Sequence, residues 1–450
     1  MRVSLLCPPV SAVGPASPPR HWPLYALLVA AALRERGFDV AFDDAHRRAP
    51  DPAAAARGVV AAGAEAALVF AADYNRRVPL DSLGPHLDAL RAVAPDLPVL
   101  LSGRHSPDEA RRLRAALPQA TAVSVGEPEA AALAFLTGDG PGALRGDEPA
   151  APAGLTATPA SPAWDLARPG AYGLNPHQSR GAEVFPVLAS RGCPYGCFYC
   201  EVRSQAAYAA RAPDDVVAEV RLLMDRWGAR SFFVADPMFA LHRPAALEFA
   251  AKLAPLGVRW SAMTRTDRVD PTLLAAMAAS GCWSLIFGVE SLNPDAQSAM
   301  HKRLDVETVG PAIRAARAAG IEVIASAMVG LPGDTPAGVE RTVQGLIDLE
   351  PDFAQFFEVR VPAEHAVQGG RVAAVPGDRF SFDGGHYIGD AFDGPDHVRR
   401  LTQAAYRRFY LRPGYVKTRL RAVRARPREE LRRGLQGARI VVDRALGGAR

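Results

Sequence analysis

Short apolar runs alternate with amphipathic stretches along residues 1–136. Val3–Leu6, Asp39–Phe42, Ala67–Phe70, Val99–Leu101 and Ala122–Val125 read as strands. Between them, Pro23–Arg36 has the pattern of a helix stopped by Gly37, and 52–62, 81–93, 107–116 and 127–136 have helical patterns too. Strands that alternate with helices predict a parallel, doubly wound sheet of the Rossmann or flavodoxin kind. Ligands of such sheets sit beyond the carboxyl ends of the strands. The polar and glycine signals gather there: Pro8-Pro9, Asp43-Asp44, Ala72-Asp73-Tyr74, Ser102 to Ser106, and Gly126-Glu127-Pro128-Glu129.

Residues 137–182 lose periodicity and are rich in Pro, Ala and Gly, the signature of a linker. Such a length is expected to wrap across a domain junction, pinned by Trp164 and Tyr172. A second strand–helix series starts at residue 183. Its strands are Val184–Ala189, Ser231–Ala235, Val258–Ala262, Leu285–Val289, Glu322–Met328 and Phe353–Val359. Helical patterns cover Pro213–Arg226, 244–254, 271–279, 306–318 and 336–348. The expected organisation is therefore 1–136, a 137–182 linker, a core at 183–362 and a loop and helical region at 363–450. In that last region 366–396 reads as loop, and Val398–Leu411 as a helix.

Length and charge narrow the class. A chain of 450 residues suits two or three domains, and 49% hydrophobic residues allow sizeable cores. A net charge of +4 indicates neither disorder nor a dedicated nucleic-acid binder. The apolar run 23–33 is too short to span a bilayer and ends in Arg34-Glu35-Arg36. No signal-peptide pattern is seen, so a reducing cytoplasm is the expected compartment. The basic C-terminal stretch reads as a solvated helical face.

Three of the five cysteines, Cys193, Cys197 and Cys200, stand in one loop as CxxxCxxC. Thiolates this close in sequence face one point only if the loop wraps around a guest. An iron–sulfur cluster suits them, because its irons take cysteine thiolates. A four-iron [4Fe-4S] cluster would leave one iron open for a small molecule. Gly192 and Gly196 let the backbone approach closely, and Phe198 and Tyr199 supply aromatic cover. The alternatives are zinc, which prefers four protein ligands, and disulfides, which suit secreted chains. Cys7 and Cys282 lie in or beside apolar strands and read as inert core residues.

This loop resembles the signature of the radical S-adenosylmethionine (SAM) superfamily, in which an aromatic such as Tyr199 usually precedes the third cysteine. The resemblance implies a partial (β/α)6, TIM-like barrel over the second strand series, with chemistry at its carboxyl strand ends. It also implies that the open iron chelates SAM. Further stretches resemble the family over residues 184–360. Phe233-Val234-Ala235-Asp236 resembles the second-strand end that holds the SAM amino group, although Pro237 stands where a second acid is usual. Thr264-Arg265-Thr266-Asp267 resembles the third-strand end, where an arginine can grip a carboxylate in two-pronged fashion. Gly288-Val289-Glu290-Ser291 resembles the fourth, with Glu290 accepting from ribose hydroxyls or the methionyl amino group. Ser326 to Gly333 resembles the stretch beside adenine. The bland readings make Glu290 a helix cap and Arg265 a loop bridge.

Residues 1–136 resemble the cobalamin-binding domain that precedes the core in one class of these enzymes. Pro8-Pro9, the helix from Leu24-Tyr25, Gly103-x-His105-Ser106 and Gly126-Glu127-x-Glu129 carry that likeness. No DxHxxG motif offers cobalt a histidine. His105 reads as a turn histidine bonded to backbone, with cobalt ligation as the alternative. His21 and His46 read as exposed.

The resemblance implies an enzyme that cleaves SAM to a 5′-deoxyadenosyl radical and methylates an unactivated carbon with cobalamin's help. A cyclase or rearrangement enzyme without methyl transfer is the runner-up, and a non-catalytic iron–sulfur protein the alternative from another class. The implied partners are a small-molecule substrate, such as a natural-product or lipid precursor, and an electron donor such as flavodoxin or ferredoxin. After the sixth strand, Arg360-Val361-Pro362-Ala363-Glu364-His365 departs from the Pro-Gly-Thr turn common in the class, which leaves the substrate open.

Overall fold

The computed structural model describes residues 1–9, 22–44, 51–73, 76–145, 161–167, 169–170, 172, 183–200, 202, 208–361, 370–373, 385–425, 427 and 430. His21 and His46 lie outside them, as do Tyr74, the 362–365 turn and the basic residues after 430. The chain divides into two compact units. One is Met1–Gly173 with 204–209 and 378–383, and the other holds the remaining residues.

The first unit is built on a six-stranded sheet. Its order is Asp39–Asp44, Arg2–Cys7, Ala66–Phe70, Val99–Ser102, Ala122–Ser124 and Ala143–Leu144. The first five run parallel, and the last is antiparallel. Strand residues alternate between two cores. Leu6, Val69, Leu101 and Val123 pack with helices Pro52–Ala61, Leu80–Val93 and Pro107–Ala116. Leu5, Leu68, Leu100 and Ala122 pack with Leu24–Glu35 and Pro128–Thr137. Helices therefore cover both faces, as the strand–helix alternation predicts. The unit runs past residue 136. Ala143–Leu144 pairs with Ala122–Ser124, and Ala163 N–H donates to Leu27 O at 3.0 Å. Trp164 and Tyr172 pack on Trp22 with ring centroids 5.3 and 4.5 Å away. This part of the expected linker is thus anchored within one unit, because three large rings find burial there.

In the second unit the main sheet follows chain order: Phe185–Val187, Ser231–Val234, Arg259–Thr264, Cys282–Glu290, Glu322–Val329, Phe353–Glu358. Every neighbouring pair is parallel. Its two faces differ. Ala354 and Phe356 are buried, and Phe356 packs on Tyr406 and Phe409 of the helix Pro395–Tyr410. Ser326, Met328, Gln355 and Phe357 lie on the other face and are all partly exposed.

Local chemistry explains many helix starts. Asp51-Pro52, Ser106-Pro107, Asp270-Pro271, Asn293-Pro294 and Thr335-Pro336 each place a capping side chain before a proline in the first turn. The same signal marks Pro294–Ala299, a short helix absent from the periodicity reading. Residues 366–396 are not all loop. Gly370–Ala373 and Gly385–Gly389 form an antiparallel sheet with Arg360–Val361. Glycines and spaced polar residues mask a strand whose pairing is tertiary.

Helix Leu24–Glu35 starts differently. Pro23 offers no capping side chain. The Asp73 carboxylate instead accepts from Tyr25 N–H at 2.8 Å and Ala26 N–H at 3.0 Å. Asp73→Ala should therefore cost the first unit about 1 kcal/mol, with Asp73→Asn losing less. The urea midpoints of the three proteins check this.

Candidate functional site

The cysteine loop leaves the strand Phe185–Val187 and has little regular structure of its own. Its entrance is held by Asp236, just after the strand Ser231–Val234. Asp236 Oδ1 accepts from Ala189 N–H at 2.7 Å and Ser190 N–H at 2.9 Å, and Oδ2 accepts from Ser190 Oγ–H at 2.6 Å. The carboxyl is buried, which pushes its pKa up to about 6 against those hydrogen bonds. Its geometry makes it the anchor of the loop, with both oxygens already engaged.

All three loop cysteines are free thiols. Among the described residues, no three His, Cys, Asp or Glu side chains are grouped to hold a single metal ion. A cluster takes each thiolate on a different iron, so it requires no such tight triad. Burial pushes the Cys197 thiol up, and the charges of Lys302 and Arg265 pull it back. Burial likewise holds the Tyr199 phenol well above its ordinary value, with Glu290 adding to it.

Glu290 sits at the carboxyl end of Cys282–Glu290, where the register shifts. Its φ of +64° is the left-handed region, rare for a side chain this size. The carboxylate is buried against Lys302, whose Nζ donates to Glu290 Oε1 at 2.8 Å and to Gly288 O at 2.6 Å. Ser326 Oγ–H donates to Glu290 Oε2 at 3.4 Å. A Cβ on Gly288 would stand 2.7 Å from Glu290 Oε1 and 2.9 Å from Lys302 Nζ, so any side chain there would shift the pair. Glu290 is thus an ion-paired acid, not a helix cap.

Lys302 was not among the candidates read from sequence. It stands inside His301-Lys302-Arg303, which reads as surface charge. One signal was available: it is one of only three lysines in an arginine-rich chain. Its neighbours tie it to the loop, since Phe198 N–H donates to Met300 O at 3.2 Å.

Arg265 meets a carboxylate within its own turn. Nε–H and Nη2–H donate to Asp267 at 2.9 and 2.8 Å, and Nη1–H donates to Lys302 O at 2.8 Å. These bonds make it a bridge between its own turn and residues 302–303.

The first unit brings Gly103, His105, Ser106, Gly126 and Glu127 together at its strand ends. Glu127 is buried in an ion pair with Arg104, whose Nε–H donates to Glu127 Oε1 at 3.0 Å. Ser106 Oγ caps the following helix by accepting from Glu109 N–H. Gly126 N–H donates to His105 O at 2.9 Å. Gly103 has φ +155°, and a Cβ there would lie 3.0 Å from Ala72 N. His105 departs from the expected backbone bond. Its ring is fully buried, neither nitrogen makes a hydrogen bond, and Nδ1 lies 3.4 Å from Glu109 Oε1. Ser102 Oγ is a second buried polar atom without a partner. Cys7 belongs to the apolar core, and burial holds the Cys282 thiol far above its ordinary value.

Two predictions follow from these contacts. Asp236 has a folded pKa above the unfolded value of about 3.9, so the folded state binds the extra proton. Stability relative to Asp236→Asn should fall by up to about 3 kcal/mol as pH rises from 4 to 7. Urea unfolding at each pH checks it, and a flat difference contradicts it. Lys302→Met leaves a buried charge alone and should cost about 3–5 kcal/mol, most of it recovered in the Glu290→Gln/Lys302→Met double variant. Denaturation of all four proteins closes that cycle.

Residues 187–346 match the profile of the Radical SAM superfamily. An uncharacterised methyltransferase of Pyrococcus horikoshii is 25% identical over 199 residues, which are 43% of this chain and 42% of that one. The anaerobic magnesium-protoporphyrin IX monomethyl ester cyclase of Rubrivivax gelatinosus is 27% identical over 356 residues, 73% of this chain and 63% of that one. The chain thus spans less than two thirds of either relative. The solved radical SAM methyltransferase TsrM of Kitasatospora setae, with cobalamin and a [4Fe-4S] cluster bound, shares the fold at TM-score 0.71 and 18% identity. That alignment covers 92% of this chain and 89% of TsrM. Residues 187–346, which hold the cysteine loop and the acid at the fourth strand end, thus form a domain that matches the Radical SAM superfamily.

Proposed function

We propose that this protein is a cobalamin-dependent radical SAM enzyme that methylates an unactivated carbon of a small molecule. One observation carries the reading: three free cysteines share a loop packed beside a buried Glu290–Lys302 pair at the carboxyl end of a parallel sheet. That sheet, whose strands follow chain order, is read as a partial barrel with this end as its active face. When bound, the cluster supplies the electron that cleaves SAM, and cobalamin supplies the methyl group.

The chain's own residues bind and orient. Cys193, Cys197 and Cys200 hold three irons. Tyr199 covers the loop from within the cluster of Phe198, Leu331 and Tyr387. Glu290 and Ser326 offer oxygens to the hydroxyl or amino groups of SAM, and Lys302 offers a cation to its carboxylate. Asp236 fixes the loop at its entrance. In the first unit, the Ser102 hydroxyl and His105 ring are orphaned polar groups beneath the strand ends, which suit a corrin ringed by amide side chains. In this reading no side chain ligates cobalt, and the His105 ring lies fully buried. A boundary near 173, a substrate of natural-product or lipid type, a flavodoxin- or ferredoxin-like donor and a cytoplasmic setting belong to this reading. Among the described residues no helix is long and apolar enough to cross a membrane. A cyclase is the second reading, favoured by the similarity over 356 residues to the protoporphyrin ester cyclase.

Anaerobic reconstitution with iron, sulfide and cobalamin is the test. The wild type should hold four irons and one corrinoid. Cys193→Ala, Cys197→Ala and Cys200→Ala should each lose the cluster. Glu290→Gln should keep it while SAM affinity drops about tenfold to a hundredfold. The cobalt(II) paramagnetic resonance spectrum should lack nitrogen splitting from an imidazole. A full cluster in all three cysteine variants would sink the proposal, and an uptake of no corrinoid would promote the cyclase reading.

A further inference from the structure

We infer that Arg265 is a positioning residue for the cysteine loop and not a SAM contact, and that its charge, held against Tyr195, raises the potential of the cluster that the loop carries. This rests on the cluster reading above.

Four donated hydrogen bonds occupy the Arg265 fork. Two go to Asp267, one to Lys302 O and one, at 3.2 Å, to Arg303 O. A guanidinium has five N–H groups, so little of the fork is left for a two-pronged grip on a ligand. The flat face is used as well. Its central carbon lies 4.0 Å from the centroid of the Tyr195 ring. Tyr195 stands midway between Cys193 and Cys197 in the chain. Arg268 approaches the same ring at 5.6 Å and donates to Tyr195 Oη. Two cations therefore hold one aromatic ring inside the cysteine motif.

The carbonyls that receive Arg265 belong to a strap, residues 300–303. His301 and Arg303 have φ of +56° and +53°, which bulky residues rarely adopt. Three ties hold the strap in that shape: Met300 O to the loop, Lys302 Nζ to Glu290, and the two carbonyls to Arg265. Loop, strap and acid meet at Arg265.

Reduction adds one negative charge to a cluster, and a nearby desolvated cation stabilises that state. Asp267 opposes the effect. Its side chain is 23% exposed against 7% for Arg265, so water screens the carboxylate more than the guanidinium. Arg268 adds positive charge on the same ring. The balance favours a higher potential.

The test uses anaerobically reconstituted protein. Iron and sulfide are counted, the cluster potential is measured by titration with dithionite followed by paramagnetic resonance, and SAM affinity by calorimetry. Arg265→Met should keep the cluster, move its potential to more negative values and leave the SAM Kd within about threefold. Arg265→Lys keeps the charge and should stay nearer the wild-type potential, while losing cluster several-fold faster in air because the fork is gone. A full cluster with unchanged potential in Arg265→Met overturns the inference. So does a SAM Kd raised about tenfold or more, which would return Arg265 to the ligand. If Arg265→Met does not fold, Arg268→Met should show a smaller shift in the same direction, and an unchanged potential there overturns the inference equally. Wild-type protein that takes up no iron overturns the cluster reading itself, which is a separate outcome.

Discussion

A loop with little regular structure cannot present three thiolates to one guest unless its backbone is held from outside. Here the holding groups are charged and buried. Asp236 takes the two N–H groups at the loop entrance. Arg265 covers Tyr195, and the strap at 300–303 takes Phe198 N–H. Asp236 and Arg265 follow two neighbouring strand ends, and the strap follows the short helix Pro294–Ala299 beyond a third. The parallel sheet matters because it delivers these groups to one edge.

Burial makes that arrangement costly to assemble and costly to disturb. A carboxylate away from water needs partners. Asp236 finds neutral donors and is left with a raised pKa. Glu290 finds a cation instead, with Ser326 at its second oxygen. The left-handed backbone at Glu290, His301 and Arg303 is tolerated because these ties over-determine it. Strain concentrated beside the loop fits a site that is preorganised before its ligand arrives.

The first unit solves a related problem with a different chemistry. Its strand ends carry Arg104 paired with Glu127, Ser106 as a cap and Asp73 closing the end of a helix. Most polar groups there are consumed by the fold. Ser102 and His105 are among the exceptions in the described residues, which makes the floor of that unit one place to look for a ligand's polar edge.

The sequence alone determined the main parallel strands and most of the helices between them to within a few residues, because apolar period is local, but it missed the short helix Pro294–Ala299 and the strand Ala143–Leu144. It also marked the cysteine motif and the acid at the fourth strand end. It did not reveal Lys302, whose partner is twelve positions away across a helix and turn, nor the strand at Gly385–Gly389, whose partners are other segments. It left Arg265 between ligand and bridge. Only the tertiary structure showed their partners, because a buried charge is assigned by what surrounds it in space. The same holds for His105: a turn histidine in sequence, it is sealed against Glu109 once the helix that follows it packs.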